Sequence, residues 1–381
     1  MPLARLRIHA ALTHPFACVP FLYFHFRAHG VGLAEYAQSV TIYYLATMFA
    51  DVPTGLLADR FGRRQALVVG ELVLAAGFGL FALGTEFTTF CLGQAVVGLG
   101  QAILSGPPTA LLYATLAADG REREFLGEES RMHALRLAGT ALAFLLGGVV
   151  VWCLGIVAAI GLSIGLHLLS AAVAATLREP AMPATGARHP LLTAAVRDLL
   201  QPQVLWIGAY YCVVFWLLRY CFHTYQPYLE AAQEMHPLLV GTLFALLNLA
   251  AAPCSRLAPW LVRRLGFVAV LWMMPLLLSG SLALLSLHVN LLALPLLFLH
   301  QVPFGLHWAL VQDFTQRRIR QEVRATVLSL VSFLGRGVFA ATFPLLGALH
   351  QSHGISAAYL AAACAGTVAT ILVLARAPRD S

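Results

Sequence analysis

Charged residues are scarce in this sequence, and lysine is missing altogether. Asp, Glu and Arg make up only 11% of the 381 residues, whereas hydrophobic residues make up 60%. A soluble domain carries about 25% charged residues, so this chain has too little polar surface to cover a globule in water. The mean hydropathy of +0.79 leads to the same conclusion. The main solvent of the protein is therefore the hydrocarbon of a lipid bilayer.

Signatures of several other protein classes are missing as well. The seven cysteines lie in or beside apolar stretches without Cys-x-x-Cys spacing, which argues against a disulfide framework or a metal site. The chain has no His-Glu-x-x-His, no Gly-x-Ser-x-Gly and no P-loop motif. Apolar segments recur to the end of the chain, so we expect no cleavable signal peptide. From these missing motifs we predict no enzyme activity, no cofactor and no metal. We also predict no nucleic-acid partner, because the net charge of +7 fits basic loops beside a membrane.

The chain does contain a series of apolar segments of the length that a membrane-crossing helix needs, about 20 residues. Only a helix satisfies the backbone hydrogen bonds of such segments in lipid. We predict twelve transmembrane helices at 12–26, 37–58, 66–84, 88–113, 132–152, 154–177, 204–225, 238–262, 267–287, 291–311, 325–349 and 357–375. The fifth and sixth are separated by almost nothing.

Arginine is distributed unevenly between the predicted loops. It is concentrated at both ends of the chain and in the loops that follow even-numbered spans, whereas the opposite loops carry mainly Glu and His, with Arg27 as an exception. Cytoplasmic loops carry an excess of basic residues. Both termini are therefore predicted to lie in the cytoplasm, and the localisation that we expect is a bacterial inner membrane.

A polar, proline-containing segment divides the chain into two nearly equal halves. We predict a six-helix bundle at 1–177, a cytoplasmic linker at 178–203 and a second six-helix bundle at 204–381. An apolar stripe at 191–200 indicates a short helix on the membrane surface, with an ordered coil as the alternative. The loop Leu-Ala-Asp-Arg-Phe-Gly at 57–62 is echoed by Leu-Val-Arg-Arg-Leu-Gly at 261–266. Such repeats are typical of transporters built from two pseudo-symmetric bundles.

The loop after the second span carries a charged motif. Its residues are Asp51, Gly55, Asp59, Arg60, Gly62, Arg63 and Arg64. The motif closely resembles GxLaDrxGrkxxl of the major facilitator superfamily, and this resemblance implies the twelve-helix fold of that family. It also implies that Asp59 meets the positive N-terminal end of the eleventh helix, near Arg324, as a cytoplasmic latch. We expect Gly55 and Gly62 to let backbones pass closely, and the alternative is a purely topogenic basic turn.

The sequence departs from one branch of this family. Antiporters that expel drugs often carry an arginine in an RxxxGxg pattern in the fourth span, where this chain has Gln94. The fifth span keeps glycines at 139, 147 and 148 but lacks the proline of the antiporter pattern. Both departures argue against drug–proton antiport without affecting the fold.

The resemblance implies that the first, fourth, seventh and tenth spans line the substrate cavity, and polar residues recur there at helical spacing. Arg336 joins them because it lies about 18 Å past Arg324 along its helix, where a charge is costly. The predicted substrate-binding residues are His25, Gln94, Gln101, Arg219, His223, His300, His307 and Arg336. For each histidine the alternative is a simple bond to a backbone carbonyl. Glu71 is expected near a cytoplasmic helix end, and His167 is an exception to the pattern.

These observations predict a secondary transporter, acting as a monomer, for a small organic solute. An excess of embedded Arg and His over acid favours an anionic or zwitterionic substrate, and histidines can titrate in the working pH range. We expect proton-coupled export, with proton-coupled uptake as the alternative. A membrane sensor or scaffold without transport activity is a further alternative.

Overall fold

The computed structural model describes residues 2–180, 189–233, 235–316, 318–319 and 323–377, and all their regular elements are helical. Fourteen α-helices occur in this part of the chain: α1 (Pro2–Leu12), α2 (Leu22–Ala28), α3 (Leu33–Phe61), α4 (Arg63–Leu83), α5 (Phe87–Leu104), α6 (Pro107–Ala118), α7 (Phe125–Leu154), α8 (Ile156–Ala175), α9 (His189–Leu199), α10 (Pro202–Ala231), α11 (Pro237–Leu265), α12 (Phe267–Leu287), α13 (Gln301–Gln316) and α14 (Arg324–Leu374). Segments of 3₁₀ helix lie at Val19–Phe21, Glu122–Glu124 and Leu291–His300.

Each of the twelve predicted spans corresponds to helical structure. Eight helical stretches in the described residues are long and apolar enough to cross a membrane. The longest of them, within α14, contains Gly354 at a φ of 81°, which separates the eleventh span from the twelfth. Gly155, at a φ of 88°, separates α7 from α8 in the same way. The prediction of an all-α membrane protein with twelve transmembrane helices is confirmed.

Three of these spans contain a break in the α-helix. The first consists of α1 and α2, with non-helical residues after Leu12 and a 3₁₀ turn before α2. The fourth breaks at Gly106, directly before two prolines, as α5 and α6. The tenth begins with ten residues of 3₁₀ helix that contain Pro295, and α13 follows. Proline lacks a backbone donor and clashes with the preceding turn, which explains breaks at these places.

The chain divides into two compact units by its internal contacts. Unit 1 comprises Met1–Pro183 and Met235–Leu249, and unit 2 comprises Ala184–Glu234 and Ala250–Ser381. The first part of α11 is therefore counted with unit 1. The predicted linker does contain a short helix, α9, but its position on a membrane surface stays a prediction, as do the predicted domain boundaries.

In unit 1, glycines of α7 allow unusually close backbone packing. A side chain at Gly139 or Gly147 would collide with the carbonyl oxygen of Ala11 or Ala17. Small residues permit helix backbones to approach each other in membranes. Gly139 and Gly147 of the fifth span thus serve the contact with the first span.

In unit 2, α10 is the central helix, since 72% of its most apolar stretch is buried. Its aromatic side chains donate hydrogen bonds to backbone carbonyls of neighbouring helices. Trp206 donates to Val373 at 2.8 Å and Tyr210 donates to Leu271 at 2.9 Å. These bonds satisfy polar groups that lipid cannot satisfy, and they fix α10 against α12 and α14.

Candidate functional site

The loop motif contains a capped helix start that the sequence analysis missed. Gly62 ends α3 at a φ of 104°, a conformation that favours glycine. The next two backbone amides, of Arg63 and Arg64, donate to the Glu179 carboxylate at 2.6 and 3.0 Å. A carboxylate at a helix N-terminus satisfies otherwise unpaired amides and complements the helix dipole. The motif therefore connects the start of α4 with the residues that follow α8.

Other predictions for the motif have mixed outcomes. Gly55 lies inside α3 and has open space around it among the described residues, and the close backbone passage expected there stays a prediction. Asp51 is half-buried on α3, and Arg60 lies over the Phe61 ring at 5.5 Å. The side chains of Asp59 and Arg324 lie outside the described residues, and the latch between them stays a prediction.

Two of the predicted substrate-binding arginines lie in the neighbourhood of one aromatic side chain in unit 2. Arg219 on α10 and Arg336 on α14 are both half-buried, and both guanidinium groups are within electrostatic range of the Tyr211 hydroxyl. This hydroxyl is hydrogen-bonded to Ser332. Gly335 allows the approach, because a side chain there would lie 2.8 Å from the Tyr211 ring. Arg219 also lies over the Phe215 ring, 5.1 Å from its centre.

His307 completes this group, which we name the basic cluster: Tyr211, Arg219, His307 and Arg336. The His307 ring stacks on Tyr211, with 6.1 Å between ring centres and 25° between planes. One of its nitrogens, Nδ1, lies 3.0 Å from the Pro303 carbonyl, which leaves Nε2 as the nitrogen for other contacts. Two guanidinium groups, an imidazole and a phenol in one place can bind a carboxylate or phosphate through several charge-assisted hydrogen bonds.

The other two predicted residues of unit 2 are packed into its interior or against aromatic rings. His300 is 1% exposed, and both of its ring nitrogens have partners, Tyr225 at 3.0 Å and Ser281 at 2.6 Å. His223 stacks on Phe339 with 5.8 Å between ring centres. These contacts join helices to one another. His300 and His223 stay predictions as substrate ligands, and we leave them out of the proposed site.

The predicted residues of unit 1 lie apart from this cluster along the chain. His25 is buried, and its Nε2 lies 2.8 Å from the carbonyl oxygen of Phe81, which is the alternative that the sequence analysis left open. Gln94 is buried on α5. Gln101 is hydrogen-bonded to His14. Their roles as substrate ligands stay predictions.

Glu71 is placed differently from the expectation. It lies eight residues past the start of α4, about 12 Å along the helix, and is completely buried. His167 Nδ1 lies 2.6 Å from its carboxylate, and the Ser170 hydroxyl donates to it at 2.8 Å. The placement of Glu71 at a cytoplasmic helix end is therefore wrong, and His167 is its partner.

The family model described as "Major Facilitator Superfamily" matches residues 16–344. The chain belongs to this superfamily. The resemblance of the loop motif is thus confirmed, as is the prediction of a membrane transporter of this family.

Individual relatives are similar over short stretches. Facilitated glucose transporter member 10 of solute carrier family 2, from Danio rerio, is 30% identical over 87 residues, which are 23% of this chain and 16% of that protein. Multidrug resistance protein MdtH from Yersinia enterocolitica is 43% identical over 58 residues, 15% of this chain and 14% of that protein. The matches thus span only a small part of the relatives' own length.

Solved structures share the fold over the whole chain. The nucleoside transporter NupG has a TM-score of 0.80 at 14% identity, with 99% of both chains covered. A bacterial homologue of the human lysosomal transporter Spinster has a TM-score of 0.73 at 15% identity, with 98% of this chain and 94% of that chain covered. At such identities the likeness concerns the fold alone.

Proposed function

We propose that this protein is a secondary active transporter that moves a small anionic or zwitterionic organic solute by alternating access. The observation that carries this proposal is the basic cluster of unit 2. Arg219 and Arg336 are both within electrostatic range of Tyr211, and two like charges in a half-buried place favour a bound anion near them. Arginine binds carboxylate and phosphate through two parallel hydrogen bonds, a geometry that lysine does not reproduce.

Direction and coupling belong to the same proposal. We propose proton-coupled export from the cytoplasm by a monomer in a bacterial inner membrane, with both termini cytoplasmic. The uneven distribution of arginine supports this orientation, and the short match to a protein named for multidrug resistance supports export. Uptake is the second candidate, because another short match is to a facilitated glucose transporter.

The experiment is a flux screen with purified full-length protein in liposomes. Radiolabelled carboxylates, phosphates, amino acids and neutral sugars are offered with and without a pH gradient. We expect flux of an anion or zwitterion but not of a neutral sugar. If the protein is an antiporter, a pH gradient that drives protons against the direction of solute movement should accelerate flux. If it is a symporter, a pH gradient that drives protons in the same direction as the solute should accelerate flux.

Variants of the basic cluster link this flux to the proposed site. Arg336→Lys should raise KM about tenfold, since a lost charge-assisted hydrogen bond amounts to about 1.5–3 kcal/mol. Arg336→Ala and Arg219→Ala should have larger effects. Arg263→Ala is the matched control, because Arg263 is exposed at the end of α11 and should leave KM unchanged.

Two results would contradict the proposal. Flux by Arg336→Ala with an unchanged KM would show that the basic cluster does not hold the solute. A wild-type protein that moves none of the probes, although it is folded and correctly inserted, would favour the sensor or scaffold alternative.

A further inference from the structure

A second polar cluster lies inside unit 1, and neither the loop motif nor the basic cluster uses it. Its centre is Glu71 on α4, which is 0% exposed. His167 and Ser170, one turn apart on α8, contact one carboxylate oxygen each, at 2.6 and 2.8 Å. His9 on α1 approaches the carboxylate from a third helix, with 3.7 Å between its Nε2 and Glu71 Oε1.

Several buried nitrogens of the histidines that contact this carboxylate, and of the residues near those histidines, make no hydrogen bond. Among the described residues, His9 Nε2 and His167 Nε2 are buried and make no hydrogen bond, and the same holds for His14 Nδ1, Gln101 Nε2 and Arg136 Nε. A buried donor or acceptor left unsatisfied costs about 1–3 kcal/mol. Each such group in a native structure requires an explanation.

The charged and titratable groups near Glu71 and its histidine partners lie on several helices. His9 reaches it from α1 and His167 from α8, while His14 lies in the segment after α1. Arg136 on α7 acts electrostatically on both His9 and His14. From α5 the polar neighbour is Gln101, which bonds to His14. The cluster thus contains one acid, three imidazoles and one guanidinium.

We propose that Glu71, His167 and His9 form a proton-binding site. In the unloaded form the Glu71 carboxylate accepts hydrogen bonds from His167 Nδ1–H and Ser170. An entering proton binds to His167 Nε2, the Nδ1 proton moves to Glu71 Oε2, and the resulting carboxyl group donates to Nδ1. One N–H bond breaks while one O–H and one N–H bond form, and the charge of the Glu71–His167 pair changes from −1 to 0. That this proton drives transport rests on the function proposed above.

The experiment is infrared difference spectroscopy on the full-length protein in liposomes as the pH is lowered. We expect the C=O stretching band of a buried carboxylic acid to appear in the wild-type protein. The band should be lost in Glu71→Gln and should persist in Glu86→Gln, where the replaced side chain is exposed. Size-exclusion chromatography and thermal unfolding establish that each variant is folded.

Two serine variants make the assignment independent of Glu71→Gln. Ser170→Ala removes the hydrogen bond to the carbonyl oxygen of the protonated acid, so the band should shift to higher frequency. Ser163→Ala is the matched control on the same helix, since the Ser163 hydroxyl bonds to backbone groups of Cys18 and Ala159 instead. A missing wild-type band, a band that persists in Glu71→Gln or a band unmoved by Ser170→Ala would overturn the proposal. The measurement needs no solute, so failure of the flux screen leaves its outcome intact.

Discussion

Replacement of Glu179 by Gln should destabilise unit 1 through the start of α4. The wild-type carboxylate accepts from the amides of Arg63 and Arg64, and Gln keeps one acceptor oxygen but no charge. A hydrogen bond to a charged group contributes about 1.5–3 kcal/mol, and an anion at a helix N-terminus contributes about 0.3–1 kcal/mol. Because Glu179 is exposed, the low end applies. We expect a loss of about 1 kcal/mol for Glu179→Gln and about 2 kcal/mol for Glu179→Ala.

Thermal unfolding of the purified protein measures this loss. A domain of this size loses about 2–4 °C in melting temperature for each kcal/mol. Glu86→Gln is the matched control, because Glu86 precedes α5 without a side-chain cap to its helix. Equal shifts for Glu179→Gln and Glu86→Gln would refute the capping argument.

A double-mutant cycle sharpens the test. A side chain at Gly62 would lie 2.8 Å from Glu179 Oε2, so Gly62→Ala alone should displace the carboxylate from its amides. Residues that share a contact have non-additive effects. Glu179→Gln should therefore cost clearly less in the Gly62→Ala background than in the wild type, and strict additivity would contradict direct contact.

Two further predictions concern helix contacts and the latch. In Gly241→Val, the added Cβ would lie 2.7 Å from the Phe144 carbonyl oxygen and against Gly148. The clash at the close contact between α7 and α11 should then lower the free energy of unfolding by about 1–3 kcal/mol. Thermal unfolding checks this, and an unchanged melting temperature would contradict the close packing. Asp59→Asn should weaken the cytoplasmic latch by about 1 kcal/mol and lower flux in liposomes while expression persists, and wild-type flux would contradict the latch.

The length of apolar segments predicted the bounds of spans that carry no charge. It did not predict the bounds of a span whose charged side chains bind partners far away in the sequence. The predicted span 267–287 coincides with α12, a helix without a charged residue. The helical structure of the first span begins ten residues earlier than predicted. The prediction left these residues out because they include Arg5 and Arg7. Their guanidinium groups are bound by the Thr176 carbonyl and the Glu128 carboxylate. Hydropathy along one segment contains no information about such partners.

The two polar clusters differ in how far the sequence could predict them. Arg219 and Arg336 stood out because a charge deep in an apolar span is costly wherever it points. Glu71 did not stand out, since it follows Arg64 closely and resembled a solvated helix end. Its partner His167 lies 96 residues away, and each of the two has an ordinary alternative when considered alone. The pair became recognisable only when the fold placed α4 beside α8.

The two clusters consist of different side chains, which limits how a proton and a solute could be coupled. The proposed proton site uses α1, α4 and α8 of unit 1, and the basic cluster uses α10, α13 and α14 of unit 2, so they share no side chain. Direct competition for one ligand, as when a proton and a solute exchange on the same carboxylate, is therefore not the mechanism proposed here. Coupling then has to run through a conformational equilibrium that both ligands bias, and such coupling is reciprocal. The factor by which protonation of Glu71 changes solute affinity must equal the factor by which the solute changes proton affinity.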